Sequence, residues 1–225
     1  MQIYGVSNNV KKKIYFFLPF RYRLVSLHMR SSEITKAKVL KEATALFNTK
    51  GYKSTSLSDI TEATGLTKGA IYRHFESKES LEIEAFQKMM QAIFVTLNER
   101  IKAENSTKDK LFCVLDLFKS YVTNPFITGG CPLLNVAVEV DDTNWELKQK
   151  AQQALSVFRD SVEKIIINGK THKQVRNLVN EKLVATVLIS TLEGGVMMSK
   201  LQNSNADIEI VVNHLKNWIV SDILL

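Results

Sequence analysis

The sequence predicts an all-α protein. Apolar residues recur at helical spacing along most of its 225 residues, and no alternating apolar–polar run bounded by turn residues reads as a strand. Only 3 prolines interrupt the chain, and a 45% hydrophobic share suffices for a substantial core. Serine, threonine or asparagine stands where the periodic stretches begin, and glycine ends several of them. The pattern divides into a short segment at 1–28, a compact helical block at 29–80 and a larger helical domain at 81–225.

Residues 1–28 hold Lys11, Lys12, Lys13, Arg21 and Arg23 and no acid. The lysines followed by Ile14-Tyr15-Phe16-Phe17-Leu18 look like the start of a signal peptide. Pro19, Arg21 and Arg23 cut the apolar run short, however, and no small-residue cleavage site follows. A basic-aromatic segment on a membrane surface is one reading. A disordered tail, or translation from a start upstream of Met29, is the reading preferred. The first helix is expected from Ser32 to Lys50, with Val39, Leu40, Ala43, Leu46 and Phe47 as its buried stripe and Gly51 as its end.

Residues 54–79 then hold two short helical patterns separated by a glycine turn. Ser56 is a candidate N-cap with Asp59 as its box partner. Leu57, Ile60 and Ala63 give that helix an apolar face, and Gly65 supplies the positive φ of its end. Thr67 offers a cap to a second helix, Lys68 to Phe75. Helix, short turn and helix make a helix-turn-helix unit, whose second helix enters the DNA major groove. At about 100° per residue, Ile71 and Phe75 face the core, while Gly69 and Arg73 point outward with Tyr72 and His74 beside them. Gly69 lets the helix start come close to DNA. Lys68 and Arg73 supply charge, and Tyr72 a hydroxyl for a phosphate. Lys78, opening the next helix after Ser77, is a further phosphate candidate, and Thr55 completes the set of expected DNA-binding residues.

Charge supports this assignment. The formal net charge is +7, and five of the basic residues lie at 1–28. Residues 29–79 carry nine basic and six acidic residues, whereas 80–225 come to −1. Outside the first segment, the positive surplus sits in the block assigned to phosphates.

The block at about 33–82 resembles the TetR family of bacterial transcriptional regulators. The matching residues are Gly51-Tyr52, Thr55-Ser56, Asp59-Ile60, Ala63, the run Gly65 to Tyr72, His74-Phe75 and Ser77 to Leu81. The resemblance implies a dimeric DNA-binding regulator, a repressor released from a double-stranded operator by a small-molecule effector. It also implies a second domain that binds the effector and dimerises. A non-sensing helical DNA-binding or protein-interaction module is the alternative.

Beyond the block, a long helix from Lys78 to about Glu104 is the natural lever between the domains. Further helices are expected at 106–123, 133–140, 144–168, 180–202 and 207–224. Candidate effector-pocket residues are Phe112, Leu115, Phe118, Tyr121, Leu134 and Phe158, whose aromatic and apolar surfaces suit a concave site and equally suit a core. Leu188, Thr191, Gly195 and Met198, with Val211, Leu215 and Trp218 on the following helix, form stripes expected at a homodimer interface. The same stripes could serve only the intrachain core. Gly194-Gly195 inside a helix points to close approach by another backbone.

Catalytic chemistry is not indicated. No nucleophile–base pair or metal-ligand set appears, so the expectation is no enzyme, no metal and no cofactor. Glu139, Asp141 and Asp142 lie before a helix, where capping and dipole compensation explain them. Cys113 and Cys131 form no framework, which fits a reduced cytoplasmic compartment. No apolar run approaches a membrane span, so no membrane partner is expected. Cys131 in Gly-Gly-Cys-Pro reads as a small apolar residue in a tight loop, with a redox-sensing thiol as the alternative.

Overall fold

The computed structural model describes residues 20–140 and 144–225, with side chains from residue 32 onward. The chain separates into two units, residues 1–36 and 37–225. Helix α1 spans Phe20–Lys50 and so begins well before the expected Ser32. Most of the expected tail, residues 1–19, lies outside the described residues.

Within residues 37–225, α1 is followed by α2 (Leu57–Thr64), α3 (Lys68–Tyr72), α4 (Lys78–Ala103), α5 (Thr107–Thr123) and α6 (Pro132–Glu139). The chain continues with α7 (Trp145–Thr171), α8 (Glu181–Gln202) and α9 (Ala206–Trp218). Local chemistry sets these boundaries. Ser56 and Asp59 form the expected reciprocal cap, and Gly65 ends α2 at φ 65°. The Lys50 ammonium, 2.8 Å from Asp59, holds that carboxyl at about 2 and ties the end of α1 to the start of α2. Thr67 accepts from the Ala70 amide, and Ser77 and Ser80 cap one another at the start of α4. Asn144 caps α7 by accepting from the Leu147 amide. Asp141 and Asp142 lie outside the described residues.

The last helix departs from expectation. α9 stops at Trp218 and gives way to a π-helical turn, Ile219–Ile223. Its carbonyls are needed elsewhere: Ile223 O accepts from the Arg176 amide, Leu224 O from Arg176 Nε, and Leu224 pairs with Val175. Tying the chain end to the α7–α8 connection widens the final turn.

In the first helices the buried set is Val39, Ala43, Phe47, Ile60, Thr64, Ile71 and Phe75. Thr64 takes the inward position expected of Ala63, which is exposed. α8 packs on α5, α7 and α9. Contrary to the expectation that no run approaches a membrane span, α8 is long and apolar enough by composition. A helix contacted by three others needs apolar residues on most sides, and Val184, Leu188, Leu192 and Val196 are buried among them.

Two glycines with positive φ offer a test. A Cβ on Gly65 would meet open space, whereas one on Gly129, at φ 109°, would overlap the Asn48 backbone carbonyl. Gly65→Ala is expected to cost about 1 kcal/mol from backbone conformation alone. Gly129→Ala should cost clearly more in urea denaturation, because a backbone must shift.

Candidate DNA-binding site and its connection to the second domain

The outward side of α3 carries the expected groups. Thr67, Lys68, Gly69, Tyr72 and Arg73 are exposed and His74 is half-buried, while Ile71 and Phe75 anchor the helix from beneath. Tyr72, an aromatic side chain, is 49% exposed. No heavy atom lies within 4 Å of a Cβ built on Gly69, so the start of α3 is open to close approach. Five residues long, α3 is shorter than expected, but the Phe75 amide still donates to Ile71 O.

Two members of the expected set make bonds within the chain, and one of them is fully buried. Thr55 is 0% exposed, and its hydroxyl donates to Gly51 O at 2.6 Å. It closes the α1–α2 turn and is not a phosphate ligand. Lys78 is half-buried at the α4 start: its ammonium donates to Tyr52 O at 2.8 Å and pairs with Glu82 at 3.1 Å. Burial pushes the Glu82 carboxyl up against the pull of Lys78.

These contacts belong to a junction that sequence reasoning missed. The Tyr52 ring stacks on Phe47 at 5.1 Å, and its amide donates to Glu139 Oε2 at 2.7 Å, with the Lys53 amide on the same oxygen at 3.2 Å. Glu139 ends α6. Four residues earlier, on the same helix face, Asn135 Nδ2 donates to Asn48 Oδ1 at 2.9 Å and to Asn48 O at 3.1 Å. Asn48 Nδ2 in turn donates to Thr128 O and Gly130 O. Asn144 Nδ2 completes the junction on Glu82 Oε2 at 3.1 Å. Thus Glu139 serves as an amide acceptor. The one signal in the sequence was Asn135 and Glu139 at i, i+4 on a short helix.

Residues 39–85 match the model of bacterial regulatory proteins of the tetR family, and residues 107–215 match that of the tetracyclin repressor-like C-terminal domain. A crystal structure of a TetR transcriptional regulator from Chloroflexus aurantiacus is 35% identical, covers 87% of this chain and 99% of its own, and superposes with a TM-score of 0.84. The chain belongs to the TetR family. It is a DNA-binding transcriptional regulator, and α3 lies within the residues that match the helix-turn-helix family model. A curated relative, the HTH-type transcriptional repressor DhaR of Mycobacterium sp. (strain GP1), is 22% identical over 172 residues, 76% of this chain and 85% of its own. The regulator FadR from Bacillus subtilis, solved in complex with stearoyl-CoA, has the same fold: TM-score 0.68 at 22% identity, covering 82% of this chain and 97% of its own.

The second domain of this TetR-family regulator holds two concave features, and most expected pocket residues line neither. Leu115, Phe118, Tyr121 and Phe158 are core residues. Phe118 stacks on Phe158 at 5.5 Å and meets Tyr121 edge-on at 5.6 Å. Phe112 is half-buried beneath the Lys216 ammonium, 5.0 Å from its ring centre. The larger feature is a groove of about 1200 Å³ between α4 and α7, with Phe86, Met90, Phe94, Val157 and Ile165 among its lining. Lys110, Lys150, Lys164 and His172 also line it, and no carboxylate does. The smaller, about 290 Å³, lies behind α6 and includes Leu134 from the expected pocket set.

Glu193 lines that smaller cavity. Its Oε1 accepts from the Cys131 thiol at 2.9 Å, and its Oε2 is buried without a partner. Burial pushes the carboxyl up to about 7, against the Cys131 hydrogen bond. Burial likewise pushes the Cys131 thiol and the Tyr121 phenol well up, so both stay neutral and Cys131 is a poor nucleophile.

The interface residues also divide. Leu188 and Leu215 are fully buried within the chain. A Cβ on Gly195 would come within 3.1 Å of Ile208 and 3.2 Å of Val211, so its close neighbour is α9 of the same chain. Thr191, Met198, Val211 and Trp218 reach the surface.

Glu193 generates a pH test. Between about 4.5 and 7 the unfolded chain has lost this proton while the folded chain keeps it, so stability falls as pH rises through that window. Thermal melts should show wild type losing stability against Glu193→Gln from pH 5 to about 7, with no further divergence above. Parallel pH profiles would contradict the assignment.

Proposed function

We propose that the protein is a homodimeric repressor acting in the cytoplasm, released from its operator when an amphipathic anion occupies the groove between α4 and α7. The observation that carries this is α4 itself. Its first turn holds the Lys78–Tyr52 contact beside the helix-turn-helix, and Phe86, Met90, Phe94 and Ile101 further along it line the groove. A ligand there touches the same rigid element that orients the DNA-reading helix. Release requires that the ligand bind the non-operator arrangement more tightly, since only differential affinity moves such an equilibrium.

The ligand class follows from the lining. An apolar floor suits a hydrocarbon body, and three lysines without a lining carboxylate suit an acidic head. Among the described residues, none of these lysines is within ion-pair distance of an acid. The FadR complex with stearoyl-CoA supports an amphipathic anion as effector in this fold.

Dimerisation is inferred from α8. Leu183, Val187, Gly194, Met197, Met198 and Leu201 fall along one side of the helix, with Leu183 57% and Leu201 77% exposed. A Cβ on Gly194 would meet nothing within 4 Å. The stripe runs about 27 Å at 1.5 Å per residue and suits a second copy across a two-fold axis. Two copies would set their α3 helices into successive major grooves, about 34–36 Å apart on DNA. The DNA-binding residues in this reading are Thr67, Lys68, Gly69, Tyr72, Arg73 and His74.

Duplexes selected from a random pool supply the operator for the test. Leu201→Glu and Gly194→Arg are expected to sediment as monomers and to lose operator affinity about 10²-fold. Tyr72→Ala should weaken binding across sequences, and Arg73→Ala should alter preference if the guanidinium reads a base. Laurate should displace wild type but be a poor inducer for a variant with Lys110, Lys150 and Lys164 replaced by serine. A monomeric wild type at micromolar concentration, or mutant monomers of full affinity, would overturn the proposal.

A further inference from the structure

The cavity behind α6 is chemically unlike the groove. Leu133, Leu134, Val136 and Val140 of the α6 segment, Ala151 and Leu155 of α7, and Ile189 of α8 make its walls apolar. Glu193 sits among them with one oxygen committed to Cys131 and the other buried and unbonded. Lys148, also on the lining, has a partner of its own. Within the described residues no group is placed to satisfy Glu193 Oε2. A buried polar oxygen without a partner is costly, and a protein keeps one where something outside the chain completes it.

We propose that this cavity is a second ligand site, which takes a compact lipophilic ammonium whose N–H groups bond Glu193 Oε2. An ammonium is favoured over a neutral donor because a charge-assisted bond to a carboxylate is about twice as strong as a neutral one. It is favoured over an anion because the unbonded atom is an acidic oxygen. The volume of about 290 Å³ limits the hydrocarbon part to a short chain or a single ring. The site is separate from the groove: the lining of each is distinct, and the two call for opposite ligand charge.

Occupancy has a consequence at the DNA-binding domain. α6 is one wall of the cavity, and its other face grips Asn48, Tyr52 and Lys53 through Asn135 and Glu139. A ligand that binds the cavity as shaped stabilises α6 in this docked position. The Tyr52 and Lys53 amides, both on Glu139 Oε2, should then exchange more slowly with solvent.

Hexylammonium, hexanol and hexanoate share a chain and differ in head group, so they separate ammonium recognition from hydrocarbon burial. By calorimetry on the full chain at pH 8, where the Glu193 carboxyl has lost its proton, hexylammonium should bind best, hexanol weakly and hexanoate not at all. Glu193→Gln should weaken hexylammonium at least about tenfold, the loss of one charge-assisted bond. Ala151→Leu, which narrows the cavity and leaves Glu193 in place, should do the same should Glu193→Gln fail to fold. Hexanoate binding as well as hexylammonium, no binding at millimolar concentration, or unimpaired binding by either folded variant would overturn the site. Binding with unchanged exchange at Tyr52 and Lys53 would overturn the coupling through α6. Neither measurement uses an operator, so both stand apart from the outcome of the repressor test.

Discussion

The rest of the molecule depends on how the Gly51–Tyr52 turn is held. Tyr52 offers its ring to Phe47 on α1, its amide to Glu139 on α6 and its carbonyl to Lys78 on α4. A turn between α1 and the first helix of the helix-turn-helix is thereby tied to both α4 and α6. Each bond is modest by itself, about 1 kcal/mol net and more where a charge takes part. Their placement matters more than their sum, because they leave the helix-turn-helix little freedom to move independently of α4 and α6.

This arrangement makes the second domain a plausible source of control from two directions. α4 carries the wall of a basic-rimmed groove, and α6 carries the wall of a smaller, largely apolar cavity with a carboxylate. Between them lies a packed aromatic layer in which Phe94 meets Phe158, Phe158 meets Phe118, and Phe118 meets Tyr121. Such a layer is close-packed and so resists small continuous deformation. In the proposed reading, a ligand at either site would act on DNA binding by moving α4 or α6 as a body, since these are the two elements that reach Tyr52.

The helix-turn-helix was legible because its signals are local. Ser56, Asp59, Gly65 and Thr67 act within a few residues of where they stand, and each caps or ends the helix expected of it. Thr55 was misread because it lies at the edge of a turn, where helical periodicity no longer says which way a side chain points. The groove was illegible for a different reason. Phe118 and Phe158 carry the strongest apolar signal and therefore fill the core, whereas the groove is lined in part by Gln87, Gln91, Asn98 and Gln153, which have no periodic signature. Gly195 was rightly read as a point of close approach, but the approaching helix is α9 of the same chain. The surface stripe on α8 lies one residue earlier, at Gly194. Glu139 looked like part of an acidic run, and only the folded chain brings the amides of residues 52 and 53 to it.

The central claim is that α6 joins the DNA-binding helices to the second domain through specific bonds. A double-mutant cycle on Asn48 and Asn135, with each replaced by alanine and unfolding followed in urea, tests it most directly. The two side chains meet at 2.9 Å, and the account predicts a coupling energy of about 1 kcal/mol or more. Effects that add to within about 0.5 kcal/mol would mean that the contact transmits nothing, and would contradict it.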